Sequence, residues 1–490
     1  MSTAATRSGK SPRRLRATRG VGLLSVALLG LPIGALRPPT RPVSALVRAG
    51  SASAAASAVR AHGGSVTNEL AVIEGVVAEV DPARLAELSA DPAVSRVDLD
   101  AAGELQSVIA GTTYDTETQV GSMYNTARLV GADKLWAQSV TGSGVGVAIV
   151  DSGVQPSNFF GARLVGGADF SGANNALADG FGHGTHMAGI IAGSSGSIGA
   201  PASFTGIAPR STLVSVRVAD NAGASSLLKV LQGLDWVYKN RDGYNIKVVN
   251  LSLGVPVYAD YTQDPLVAAT QRLWYSGVTV VASAGNIGPG LNLTSPAIDP
   301  TIIAVGAVDT KGTLATGDDA PAAFSASAAT ANDRAPTVLV PARSIQSVMA
   351  TGSVASLLAP IAGIGPKFIR GTGTSQAAAI VSGQAALMLS SKDGLGPVDI
   401  KQNLCKFATN PGWGAKKQGC GVATVGAMTA ANLVTTYTWE GYPEATVSAT
   451  IGDAAADLAA RVAGPQVVSW QGASWQGASW QGSSWQGVPG

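Results

Sequence analysis

Charge is scarce in this chain of 490 residues: 13% are Asp, Glu, Lys or Arg, and 33 basic residues nearly balance 31 acidic ones. No folded stretch gathers the basic residues, which argues against a nucleic-acid partner. Long apolar runs are also lacking. "VGLLSVALLGLPIGAL" (Val21–Leu36) is the exception, and Pro32 interrupts it. It is short for a bilayer span, and no later transmembrane candidate follows. Cysteine is limited to Cys405 and Cys420, an even count that in an exported chain points to one disulfide between them. Histidine is limited to His62, His183 and His186. A general base near neutral pH is usually His, so the candidates for that role are few.

The N-terminus breaks the charge balance. "MSTAATRSGKSPRRLRATRG" carries six basic residues and no acidic one, directly before the apolar run. That layout is a secretory signal, placed at residues 1–37, and predicts a secreted, extracellular protein. From Val43 to Ala102 the pattern reads β-α-β-β-α-β, a small α+β unit of ferredoxin-like order. "DPARLAELSADPAV" within it starts with Asp-Pro, a good helix opening. Residues 103–128 read as a linker. From residue 129 to 435, Val- and Ile-rich runs such as "GVGVAIVD", "STLVSVRVAD", "IKVVNLSLG", "GVTVVASAGN" and "TIIAVGAVD" alternate with helical segments. Continuous apolar runs fit strands buried on both faces of a parallel sheet. The expected architecture is therefore an α/β three-layer sandwich around a mainly parallel central sheet. Residues 436–490 end in a five-residue repeat carrying Trp470, Trp475, Trp480 and Trp485. Five matches neither the strand nor the helix period, so these rings share no face of a regular element. The tail reads as low-complexity, or as a segment that docks through its rings on the large domain, a glycan or the cell surface.

Four short stretches in the large region carry polar groups that chemistry can use. Asp151 ends the apolar strand "GVGVAIVDSGV", and ligands gather at the carboxyl ends of strands in open α/β sheets. Gly142, Gly144 and Gly146 precede that strand instead of following it, so they make no dinucleotide fingerprint. In "DGFGHGTHMAGIIAG", His183 stands between two glycines, where a substrate can reach the ring. His186, one helical turn on, reads as a core residue. A metal at His183-x-x-His186 finds no third ligand nearby. Asn286 closes "VVASAGN" and can donate to an oxyanion, although such an Asn also serves as a turn residue. In "RGTGTSQAAAIVSG", Ser375 stands where Ser caps a helix. That stretch alone does not say whether it is a cap or a nucleophile.

Taken in order, Asp151, His183, Asn286 and Ser375 resemble the motifs of the subtilisin-like serine proteases. "VAIVDSGV", "GHGTHMAG", "SAGN" and "GTSQAAAIVSG" are similar to the family's Asp, His, oxyanion and Ser motifs, and "LSLG" (Leu251–Gly254) to its substrate-pairing strand. The resemblance implies a serine endopeptidase with Asp151, His183 and Ser375 as triad and Asn286 as oxyanion donor. It implies protein or peptide substrates, held by Ser252, Leu253, Gly254, Ala284 and Gly285. It further implies that the small N-terminal unit is a propeptide that assists folding, inhibits, and is cut off within Gly103–Gly121. No cofactor is required for such chemistry; structural calcium stabilises loops in relatives, but no EF-hand-like cluster is visible. The loop "NIGPGLNLTSP" is expected to shape an apolar specificity pocket. Three positions depart from the family pattern: Gln376 stands in place of Met, Ala379 of Pro, and Ile380 of His.

Overall fold

The computed structural model describes residues 42–70, 75–99, 117–255, 261–330, 333–357 and 363–435, and the dipeptides 467–468 and 474–475. The signal segment, most of the linker with its expected cleavage region, and Trp470, Trp480 and Trp485 lie outside the described residues.

Two units emerge, meeting in sequence at Leu99 and Asp100. The first contains β1 (Val43–Ala49), α1 (Ala52–Ala61), β2 (Ser65–Leu70), β3 (Gly75–Val80), α2 (Leu85–Ser89) and β4 (Val94–Leu99). Its strands form one antiparallel sheet in the order β2-β3-β1-β4. Ser51 starts α1 by accepting the Ala54 N–H at 3.1 Å, which satisfies one of the donors that a helix start leaves open. Alternate residues of β1 and β3 (Ala45, Val47, Val76, Ala78) turn inward against Val59 of α1 and Leu88 of α2.

In the second unit, the Val- and Ile-rich runs become neighbouring strands. The strands and helices that matter for the site are, in chain order, β5 (Gly146–Asp151), β6 (Leu164–Asp169), α3 (His183–Ala192), β7 (Thr212–Arg217), β8 (Ser225–Ser226), α4 (Leu227–Asn240), β9 (Ile246–Leu251), α5 (Pro265–Tyr275), β10 (Thr279–Ser283), β11 (Ile303–Asp309), β12 (Ala320–Pro321), β13 (Val338–Pro341), β14 (Ile345–Val348), β15 (Gly363–Ile364), β16 (Phe368–Thr372), α6 (Thr374–Ser391), α7 (Pro397–Lys406), β17 (Val467–Val468) and β18 (Ser474–Trp475). The central sheet runs β12-β11-β10-β9-β5-β7-β6, with β13 also beside β11. All its pairings are parallel except β11 with β12. β5, β10 and β11 are buried at every residue, as strands covered on both faces must be. Helices α4 and α5 pack together against the sheet, and α3 and α6 form a second packed pair. This is a three-layer α/β sandwich.

Helix α6 is the central one. Every residue from Thr374 to Met388 is buried, which matches its lack of a polar face. Small residues let it approach its neighbours: a methyl group added at Gly383 would meet Ile207 at 2.5 Å. Cys405, on α7, is bonded to Cys420, with Cα atoms 5.1 Å apart and a sequence separation of 15. A loop of that length contributes about 3 kcal/mol in the chain-entropy account. Among the described residues no helix is long and apolar enough to cross a membrane.

Candidate active site

Asp151 is the last residue of β5 and His183 the first of α3. The two meet: His183 Nδ1 lies 2.9 Å from both Asp151 Oδ1 and Oδ2. Both residues are fully buried, at 0% exposure. A carboxylate without water is costly unless hydrogen-bonded, and Asp151 Oδ1 also accepts the Ser152 N–H at 2.7 Å. Two glycines make the approach fit. Gly182 precedes the helix at φ 99°, and a side chain there would collide with Ser353 and Ala355. A methyl group at Gly184 would stand 2.1 Å from the Gly153 carbonyl oxygen and 3.1 Å from Asp151 Oδ1.

A second buried carboxylate, Asp179, holds this corner. Its Oδ1 accepts the Gly182 N–H at 2.7 Å and the Ser152 hydroxyl at 2.8 Å. Its Oδ2 accepts the Thr185 N–H at 2.8 Å and the Thr185 hydroxyl at 2.6 Å. The Ser152 hydroxyl in turn accepts the Gly184 N–H at 3.0 Å. Asp179 thus places negative charge at the positive end of α3 and ties the Asp151 loop to the start of the His183 helix. Burial pushes its carboxyl above the usual carboxylate range; the bonds from Thr185 and Gly182 pull the other way, and the nearby Asp151 adds to the rise. His186 is buried, and that burial, with His183 close by, pushes its imidazole well below the usual range. It therefore stays neutral and packs in the core.

Ser375 lies in the first turn of α6, which packs on α3. Its hydroxyl donates to the Ser252 carbonyl at 3.0 Å, and the Ser252 hydroxyl donates to the Ser375 carbonyl at 3.0 Å. Asn250 donates to the Ser252 hydroxyl at 2.9 Å and accepts from Ser382, farther along α6, at 3.0 Å. The residues after β9 are therefore locked to the helix that carries Ser375. Asn286 Oδ1 accepts both the N–H (2.8 Å) and the hydroxyl (3.0 Å) of Thr374. With the oxygen of the amide so engaged, Nδ2 occupies the opposite corner of the amide plane, and the orientation of the group is set.

Ser252–Gly254 and Ala284–Gly285 face one another across Thr294. A methyl group at Gly254 would stand 2.4 Å from Thr294 Oγ1, and one at Gly285 2.8 Å from Thr294 Cγ2. Thr294 Oγ1 donates to the Ala284 carbonyl at 3.3 Å. Val255 and Ser295 close the far end by exchanging two backbone hydrogen bonds of 3.0 Å.

Four residues here were not singled out from the sequence: Ser152, Asp179, Thr294 and Thr374. Asp179 had a legible signal, since an Asp a few residues before a helix is a capping pattern. Thr294 lay inside the loop "NIGPGLNLTSP" expected to shape the pocket, but a threonine inside a loop does not report what it faces. Gln376 stands out for another reason. It is buried, and among the described residues neither its Oε1 nor its Nε2 has a hydrogen-bond partner. A buried polar group left without a bond costs about 1–3 kcal/mol. Gln376→Met, compared in a Ser375→Ala background to prevent self-digestion, is expected to raise stability by about that amount. Denaturant unfolding checks this; an unchanged midpoint would show that the amide is satisfied.

The sequence profile of the Subtilase family matches residues 142–455. Serine protease AprX of Bacillus subtilis (strain 168) is 33% identical over 304 residues, covering 61% of this chain and 67% of that protein. Subtilisin E of the same organism is 31% identical over 353 residues, covering 71% of this chain and 78% of its own. A solved cold adapted subtilisin-like serine proteinase aligns with 58% of this chain and 88% of its own, at 29% identity and a TM-score of 0.44.

Proposed function

Because this chain belongs to the subtilase family and is a serine-type endopeptidase, we propose that Asp151, His183 and Ser375 are the triad with which it cleaves peptide bonds. One contact carries this proposal: the buried Asp151–His183 pair at 2.9 Å, on a helix packed against the one that begins beside Ser375. In the resting chain the Ser375 hydroxyl is parked on the Ser252 carbonyl. When substrate enters, rotation about the Ser375 side chain brings Oγ to His183 Nε2. His183 takes the proton as Oγ attacks the peptide carbonyl, and Asp151 stabilises the imidazolium. The tetrahedral oxyanion is met by the Ser375 N–H, at the positive end of α6, and by Asn286 Nδ2. Each such donor typically contributes a factor of about 10²–10³ in kcat. Proton return from His183 releases the leaving amine, and water then hydrolyses the acyl-enzyme. Protein groups supply every step of that cycle, with no cofactor required.

Substrates are proteins or peptides, extended beside Ser252, Leu253 and Gly254 in the edge-pairing mode. The basic and apolar N-terminus supports secretion, and the unit Val43–Ala102 is proposed to act as a propeptide removed within Gly103–Gly121. A serine-directed phosphonate tests the chemistry: peptide mass spectrometry should find it on Ser375 alone. A chain that neither labels nor hydrolyses peptides would be an inactive scaffold.

Thr294 sets the size of the P1 side chain this chain accepts. It fills the space between Gly254 and Gly285. Thr294→Gly should deepen the pocket and shift kcat/KM from small toward large apolar P1 residues by about 10–200-fold, the range a single methylene already supplies. A series of peptide substrates varying only at P1 measures this; an unchanged preference would move the pocket elsewhere.

A further inference from the structure

We propose that the tail strands β17 (Val467–Val468) and β18 (Ser474–Trp475), paired to the two edges beside the proposed triad, occupy edges that an extended substrate needs and so hold the protease inactive. This rests on the triad proposed above and concerns what regulates it.

Two short strands of the tail pair with the large unit. β17 runs antiparallel to β8, with Val467 opposite Ser226 and Val468 opposite Ser225. β18 runs antiparallel to β16, with Ser474 opposite Thr372 and Trp475 opposite Gly371. These two edges flank the reacting groups. On one side, Gly223, just before β8, packs so closely on Phe181 that an added methyl group would stand 2.8 Å from its ring. The Phe181 ring centroid is 6.4 Å from that of His183. On the other side, β16 ends at Thr372, three residues before Ser375.

Burial of the two reacting groups accompanies these pairings. His183 is 0% and Ser375 5% exposed. Base and nucleophile are thus little exposed in the chain with β17 and β18 paired. The tail is suited to the place. Main-chain pairing tolerates almost any sequence. Tethering adds an effective concentration in the millimolar range, so even a weak strand addition suffices to close the cleft.

Proline at the paired positions removes the backbone donor and disfavours the strand. The test compares the full chain with its Val468→Pro/Ser474→Pro form, at matched N-terminal processing. The double variant is expected to show about a 10-fold higher kcat/KM on a chromogenic tetrapeptide and an equally faster rate of phosphonate labelling, as a millimolar tether on a weak site implies. Its unfolding midpoint should stay that of the parent. A synthetic peptide spanning Gly464–Trp475, added to the double variant, should raise KM and leave kcat unchanged. Equal labelling rates in the two chains, or a peptide that does not compete, overturn the tail's role while leaving the protease intact. Absence of labelling in both chains would instead overturn the triad itself.

Discussion

Replacing Ser375 with Ala will abolish turnover, with kcat falling by on the order of 10⁶, the loss that removing the nucleophile causes in subtilisins. The expected size follows from what remains. Ser375→Ala keeps the helix start, the N–H of residue 375 and the Thr374–Asn286 contacts at 2.8 and 3.0 Å. Only the oxygen that forms the acyl bond is gone, together with its 3.0 Å bond to the Ser252 carbonyl. That carbonyl loses one donor, a cost of about 1 kcal/mol that the fold can bear. The variant should therefore fold, bind the phosphonate only reversibly, and accumulate at the length of its unprocessed precursor. Intact-mass measurement of the purified protein reads both effects. A Ser375→Ala chain that processes itself normally in isolation would remove the basis for calling this hydroxyl the nucleophile.

What could be read before any coordinates depended on how local the signal was. The runs ending in Asp151, Leu251, Ser283 and Asp309 were legible as buried strands because burial on both faces leaves only apolar residues. α4 was legible over Leu227–Asn240 because its apolar residues recur at helical spacing, with Val230, Leu234 and Val237 turned inward. Asp151 and His183, 32 residues apart in the chain, meet because a strand end and a helix start converge at the same edge of the sheet. The small sheet of β14, β15 and β16 left no clear trace. Its strands are two to five residues long, too short for alternation to register. Nor did the sequence reveal the links that orient the site. Asp179 offered no more than a helix-capping pattern, and it proves to be a buried clamp with four donors on its two oxygens. Thr374 was not singled out beside Ser375, yet its N–H and hydroxyl both bond to the Asn286 amide oxygen. Such roles depend on partners brought in from distant segments, which no window along the chain contains.

The clearest separation of charge from geometry will come from Asp151→Asn, whose kcat should fall by about 10⁴ while the fold survives. Asp151 Oδ1 takes the Ser152 N–H at 2.7 Å, and both carboxylate oxygens lie 2.9 Å from His183 Nδ1. An asparagine has one oxygen, and the Ser152 N–H demands it. Its NH₂ is then turned toward His183 Nδ1, which must become an acceptor. The imidazole proton moves to Nε2, the atom that has to receive the proton of Ser375, and the general base is lost without any heavy atom moving. The fully buried site allows no water to correct the mismatch. Steady-state kinetics should show the fall in kcat with KM nearly unchanged, and phosphonate labelling of Ser375 should slow in parallel. If Asp151→Asn kept more than about a tenth of the parental rate, far above the expected loss, the carboxylate would be a structural partner of the ring, and the base in this site would have to be activated by another group.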